Sequence, residues 1–240
     1  MCRHLAHLGR PATLEELLLL PPHGLLTQSY APRRQAHGLM NADGFGCGWY
    51  DPVRAAPARY RRAVPLWSDP SFASLAGVVR SGCVLAAVRS ATAGTPADDS
   101  ACAPFLLGDV LLSLNGRVDV AAIAHLVPSA PLAALGSTVD SAYVAALVGA
   151  RLQAGDPLPA ALGTTVRTVG ELDPAARLNL LATDGRTTAA TAWGDTLVVR
   201  ADGSGVLVAS EPGDDGDGWQ PVPDRTLVCA TAADVVLEDL

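Results

Sequence analysis

The second residue of the chain is a cysteine, and no other single position carries as much chemical content. Initiator methionine is removed when a small residue follows it, so Cys2 is expected to become N-terminal, with a thiol and a free α-amine on one residue. The amine, whose ordinary pKa is roughly 7.7–8.0, can take the thiol proton near neutral pH, directly or through water. Such a residue holds its own nucleophile and base, and a catalytic histidine becomes unnecessary.

Four further positions have side chains or amides suited to a polar substrate. Arg89, in Val88-Arg89-Ser90-Ala91-Thr92, follows an apolar run and precedes hydroxyls at a loop start. Its guanidinium can grip a carboxylate with two N–H donors, although a lone arginine at a strand end also serves in surface ion pairs. Asn115-Gly116 closes a second apolar run; its side-chain and backbone N–H groups can converge on a developing oxyanion, and the same dipeptide is a common hairpin turn. Asp140, in Ser137-Thr138-Val139-Asp140-Ser141, starts a helical pattern, where it can cap the helix or receive an ammonium group. Asn41 to Tyr50 reads NADGFGCGWY, with glycines spaced G-x-G-x-G, unlike the G-x-G-x-x-G of a dinucleotide site. Here glycine permits close backbone approach.

The remaining cysteines and histidines read as structural. Cys83 and Cys229 sit in apolar runs, and Cys47 lacks a terminal amine. His4, His7, His23, His37 and His125 have no H-x-x-x-H spacing, so no metal centre is expected. The acidic turn with Asp214, Asp215 and Asp217 lacks the calcium-loop pattern.

These positions need elements to hold them. Cys2 to Leu8 reads as a strand, followed by a helix from Thr13 to about Leu20 with a Thr13/Glu16 capping box. His23 to Ala42 is polar and irregular, a long loop whose length suggests a function. Strands are expected over Phe45 to Tyr50, Tyr60 to Val64, Cys83 to Arg89 and Leu106 to Leu114, and helices over Pro70 to Val79, Val120 to Leu126, Val139 to Ala154 and Pro159 to Thr168. Five short strands follow: Leu178 to Thr183, Thr187 to Trp193, Thr196 to Arg200, Gly205 to Ser210 and Arg225 to Thr231. The order is β-rich, helical, then β-rich again, without the strand–helix alternation of a parallel sheet. It predicts an α+β fold of two antiparallel sheets with helices outside, as a single domain over residues 1–240.

Composition removes whole classes. The chain has 240 residues, 24 acidic and 17 basic, a net charge of -7, and every basic residue is arginine. Without lysine there is no Schiff-base, pyridoxal-phosphate or phosphate-loop lysine. The acidic balance and the lack of a basic run argue against nucleic-acid binding. Five cysteines, an odd number with no C-x-x-C pair, point to a reducing compartment, the cytoplasm. No signal peptide and no run long enough to span a membrane is seen.

Taken in order, MCRHL, NADGFGCGWY, VRSAT, LNGRV, STVDS and the later SEP resemble the class II glutamine amidotransferase domain of the N-terminal-nucleophile hydrolases. Within that family the chain resembles the stand-alone branch, in particular the γ-glutamyl amidohydrolases of ergothioneine biosynthesis in actinobacteria. The resemblance implies a four-layer αββα sandwich and no cofactor. It implies that Cys2 is the nucleophile, that Asn115 and Gly116 form the oxyanion hole, that Arg89 holds the substrate α-carboxylate and Asp140 its α-ammonium, with Thr92 a further contact. The chain departs from many members at Leu114, where they carry histidine. No second domain follows to receive ammonia, so the implied reaction is release of glutamate from a small-molecule γ-glutamyl substrate, γ-glutamyl-hercynylcysteine sulfoxide. Hydrolysis of glutathione or another γ-glutamyl compound, or a glutaminase subunit needing a partner, are the alternatives.

Overall fold

A computed structural model describes residues 2–92 and 94–240. Met1, whose removal the reading of Cys2 requires, lies outside them. Thirteen strands are described: β1 (Arg3–Thr13), β2 (Phe45–Trp49), β3 (Ala58–Arg62), β4 (Arg80–Val88), β5 (Phe105–Leu107), β6 (Val110–Arg117), β7 (Arg177–Thr183), β8 (Thr188–Ala192), β9 (Val198–Asp202), β10 (Gly205–Ala209), β11 (Gln220–Pro221), β12 (Thr226–Ala230) and β13 (Val235–Asp239). They form one sheet in the order β11-β9-β10-β1-β4-β2-β3 and another in the order β13-β12-β8-β7-β6-β5. Adjacent strands are antiparallel throughout both sheets.

Among the described residues seven α-helices cover the sheets: α1 (Leu14–Leu18), α2 (Leu25–Tyr30), α3 (Pro70–Ala76), α4 (Val120–Ile123), α5 (Ser129–Leu135), α6 (Asp140–Gln153) and α7 (Leu158–Leu172). Strand alternation sorts the apolar side chains into three layers. Leu5, Val84, Ala86 and Val88 pack outward against Leu14, Leu18, Leu25 and Phe72 of α1 to α3. Ala6, Leu85, Leu111, Leu181, Ala190 and Val208 meet between the sheets. Leu112, Leu114, Leu178 and Leu180 pack outward against α6 and α7. In α7 the buried residues Leu158, Ala161, Leu162, Thr165, Val166 and Val169 recur with the helical period. Helices on both outer faces of two stacked antiparallel sheets make the expected αββα sandwich.

The structure corrects several local expectations. The run from Leu106 to Leu114 is a hairpin: Gly108, at φ +67°, turns the chain so that Leu107 pairs with Val110. Asn115-Gly116 is not a turn; both residues lie inside β6, opposite Asn179 and Leu178. The segment from His23 to Ala42 contains α2, which buries Leu25, Gln28 and Ser29. The cap of α6 is Val139, without a side-chain bond, and Asp140 is the first helical residue. In the acidic turn Asp214 binds Arg200 and Trp219, and Asp215 binds Arg33 and His23.

Candidate active site

Cys2 immediately precedes β1, the central strand whose Arg3 pairs with Val88 at the end of β4. The same end of β4 delivers Arg89, and β6 of the other sheet delivers Gly116. Cys2, Arg89, Ser90, Thr92, Leu114, Gly116, Val139 and Asp140 line one pocket. Residues far apart in sequence meet there because two sheet ends and the first turn of α6 converge.

Each side chain is held by local geometry. Arg89 is 7% exposed, and its guanidinium donates to the Asp43 carbonyl (3.3 Å), Thr95 Oγ1 (2.8 Å) and the Pro96 carbonyl (3.0 Å). All three acceptors are neutral, so the charge is oriented but not neutralised by them. The backbone locks the same corner: Asp43 N–H donates to the Arg89 carbonyl, Arg89 N–H to the Gly44 carbonyl, and Ala91 N–H to Asp43 Oδ2. Gly44 adopts φ +141°, and a Cβ there would lie 2.4 Å from Cys102 Sγ. The NADG motif thus supports the arginine. Asp140 accepts from Val118 N–H (3.2 Å) and from its neighbour Ser141 N–H (2.8 Å).

Asn115 is fully buried, and neither its Nδ2 nor its Oδ1 has a hydrogen-bond partner among the described residues. Buried amides are ordinarily satisfied, so Asn115 departs from the usual pattern at both ends of its amide. Gly116 presents its backbone to the same side as Asp140. In an antiparallel ladder alternate N–H groups face opposite edges; opposite Gly116, Leu178 turns its N–H to the Trp193 carbonyl, so this pair exchanges no ladder bonds. The Gly116 N–H therefore faces the other edge, as Val118 N–H does in reaching Asp140. β5 covers β6 only from Val110 to Leu112, leaving that edge without a neighbouring strand at Gly116.

Cys2 is partly buried and unbonded to other cysteines. Burial pushes its thiol pKa up and Asp140 adds to the rise, while the Ser90 backbone N–H and the Arg89 guanidinium oppose it. The thiol therefore needs a base for attack. His4, two residues on, cannot serve: it is fully buried and its pKa falls to about 3, first from burial and then from the Arg3 charge.

Reading the sequence alone missed Ser90, Ser141 and the layer beneath Cys2. There the buried Arg3 donates to Gln35 Oε1 (3.3 Å), Thr196 Oγ1 (3.4 Å) and the Arg34 carbonyl (3.4 Å). Glu211 accepts the backbone N–H groups of Arg33 and Arg34. The available signals were the adjacency of Arg3 to Cys2 and the SEP motif that contains Glu211. Among the described residues no group of three or more His, Cys, Asp or Glu could hold a metal ion, and no helix is long and apolar enough to cross a membrane.

Curated proteins match this chain over its whole length. The γ-glutamyl-hercynylcysteine sulfoxide hydrolase of Mycolicibacterium smegmatis is 55% identical over 242 residues, covering 100% of each chain. Its namesake from Mycobacterium tuberculosis is 51% identical over 241 residues, covering 100% of this chain and 97% of its own. A class II glutamine aminotransferase domain protein from Silicibacter pomeroyi superposes with TM-score 0.69 at 24% identity, covering 99% of both chains. Glutamine phosphoribosylpyrophosphate amidotransferase from B. subtilis superposes with TM-score 0.69 at 14% identity, covering 100% of this chain and 49% of its own. No family model matches the chain. By its full-length identity to the mycobacterial enzymes, the chain belongs to the γ-glutamyl-hercynylcysteine sulfoxide hydrolase family, on the class II glutamine amidotransferase fold.

Proposed function

We propose that this protein hydrolyses the γ-glutamyl amide bond of γ-glutamyl-hercynylcysteine sulfoxide, with Cys2 as nucleophile, and releases glutamate. The observation that carries this reading is the convergence of Cys2, Arg89, Gly116 and Asp140 on one pocket. A γ-glutamyl group has a carboxylate and an ammonium at one end and the scissile amide at the other. Arg89 matches the first charge and Asp140 the second, with Thr92 beside Arg89, and the head group so fixed presents its carbonyl to the thiol.

In this mechanism Met1 is removed and the α-amine of Cys2 accepts the thiol proton. The thiolate adds to the amide carbon, and the oxyanion is held by Asn115 Nδ2 and the Gly116 N–H. The C–N bond breaks as the amine leaves with the proton from the Cys2 ammonium. Water then passes a proton to the neutral α-amine of Cys2 as its oxygen adds to the thioester carbon, and the C–S bond breaks to free glutamate while the Cys2 ammonium returns its proton to the departing thiolate.

The test is glutamate release from the sulfoxide, glutathione and glutamine, together with intact mass. The sulfoxide is expected to have the highest kcat/KM, the protein to lack Met1, and Cys2→Ala to release no glutamate. A fully active protein that retains Met1 would overturn the amine-as-base step. Preference for glutamine would favour a glutaminase instead.

A further inference from the structure

Beside the pocket lies a polar group that the γ-glutamyl half of the substrate does not use. Gln35 sits in the segment between α2 and β2, and its Oε1 accepts two donors, Arg3 Nε at 3.3 Å and Asn41 Nδ2 at 2.9 Å. Both neighbours are fully buried, and Asn41 is itself tied to the Gln28 carbonyl at 2.8 Å and, through its N–H, to the Ser29 carbonyl at 2.6 Å. Two donors on one end of an amide decide which end is oxygen. The Nε2 end therefore faces away from Arg3 and Asn41. It is buried and has no acceptor among the described residues.

The location of Nε2 gives it a task. It lies 3.3 Å from the point a Cβ on Gly38 would occupy, and Ser90 Oγ lies 3.8 Å from the same point. Gly38, at φ +80° and without a side chain, is thus a shared neighbour of the amide and the hydroxyl. Ser90 lines the pocket with Cys2, and its backbone N–H interacts with the Cys2 thiol. Gln35 Nε2 is thus linked through Gly38 and Ser90 to the pocket that Cys2 lines. The positive charge of Arg3 behind Oε1 polarises the amide and strengthens Nε2 as a donor.

We propose that Gln35 Nε2 is the specificity contact for the leaving amine, donating to an oxygen of its cysteine sulfoxide portion. That portion offers the S–O oxygen and the cysteine carboxylate, two acceptors of the kind a buried, unpaired amide donor requires. Leaving groups without such an oxygen strand the donor, which is how a hydrogen-bonding site rejects them. Arg3 and Asn41 act as positioning residues through Gln35. The assignment rests on the proposed hydrolysis of the sulfoxide and adds its amine-side determinant.

The experiment compares wild type, Gln35→Leu and Gln35→Glu on γ-glutamyl-hercynylcysteine sulfoxide, its thioether counterpart and a γ-glutamyl anilide. Gln35→Leu is expected to lower kcat/KM for the sulfoxide about ten- to thirtyfold more than for the anilide, chiefly through KM. A selective loss that disappears on the thioether identifies the S–O oxygen as the acceptor; one that persists identifies the carboxylate. Gln35→Glu keeps an acceptor for Arg3 and Asn41, so the segment stays anchored, and it should show the selective loss even if Gln35→Leu fails to fold. Equal losses on sulfoxide and anilide, or none, in a folded variant overturn the assignment of Gln35 alone. A wild-type protein that cleaves the anilide but not the sulfoxide overturns the proposed function, and this assignment with it.

Discussion

Asn115 and Asn179 stand directly opposite each other on β6 and β7, and the protein treats their amides in opposite ways. Asn179 is saturated: Nδ2 donates to the Asp195 and Thr196 carbonyls, and Oδ1 accepts from the Trp193 and Asp195 N–H groups. Asn115, equally buried, has no partner for either end among the described residues. One asparagine stitches β7 to the loop before β9, and its neighbour is the residue to which the proposed mechanism gives the oxyanion.

The contrast yields a paired prediction. Asn115→Ala should lower kcat for glutamate release by about a hundred- to a thousandfold, the usual effect of deleting one oxyanion donor. Its melting temperature should change little, because no folded-state bond is lost. Asn179→Ala strands two carbonyls and two N–H groups and should lower the melting temperature by several degrees at least. Thermal melts and single-turnover rates on both variants check this. A large melting loss in Asn115→Ala with normal turnover would remove Asn115 from the site.

Gly116 is required by space rather than by backbone conformation. An added Cβ would lie 1.9 Å from the Arg177 carbonyl oxygen, which is backbone and cannot rotate away. Gly116→Ala should therefore push β6 and β7 apart beside the pocket, destabilise the fold by an amount typical of overpacking, about 1–3 kcal/mol, and abolish turnover. Chemical denaturation and glutamate release measure the two effects; a stable, active alanine variant would contradict the spacing.

Much of the site was legible because its chemistry is local in sequence. Cys2 announces itself by position, Arg89 by ending an apolar run before hydroxyls, and Asp140 by opening a helical pattern. Asn115-Gly116 was legible as chemistry but ambiguous as structure. The dipeptide favours a turn, yet the turn was made seven residues earlier by Gly108, and pairing with Asn179 and Leu178 kept Asn115-Gly116 extended. α5 was hidden for a related reason: Pro128 and Pro131 read as breakers, but they fall at the cap and in the first turn, where a helix needs no internal N–H bond. Gln35 could not be found at all from sequence. Its meaning depends on Arg3 and Asn41 meeting one carbonyl oxygen, a tertiary arrangement without a spacing signature.

Arg89 supplies a third prediction. Three of its N–H bonds go to neutral oxygens that fix its plane, which leaves guanidinium charge and further donors for a carboxylate. Lysine keeps the charge but loses the planar fork and the hold on Thr95 and Pro96. Arg89→Lys should raise KM for γ-glutamyl amides, and weaken inhibition by free glutamate, by about ten- to a hundredfold, the worth of one charged hydrogen bond. Unchanged KM with unchanged glutamate inhibition would place the α-carboxylate elsewhere.

The last prediction concerns acid stability and follows from His4. Burial first, and the Arg3 charge second, together lower its folded-state pKa from 6.5 to about 3. Above the unfolded-state value the ring is neutral in both states, so His4 adds no pH dependence. Between 6.5 and about 3 the unfolded chain binds a proton that the folded chain refuses, and stability falls with falling pH by up to about 1.4 kcal/mol per unit. His7, also lowered mainly by burial, acts in the same direction. Carboxylates held below their ordinary range, such as Asp69 and Asp214, contribute only at lower pH, near and below that range. Asp195, whose carboxyl burial pushes up, acts in the opposite direction, so the difference between wild type and a His4 variant is what isolates His4 from about pH 4.5 to 6.5. His4→Gln can keep the contact with Ser113, which His4 Nδ1 makes at 3.3 Å, while removing one titrating ring. Urea titrations across this window should show a shallower acid slope for His4→Gln than for wild type, with the two curves parallel above pH 7. Parallel curves throughout would mean that His4 is not held neutral in the folded protein.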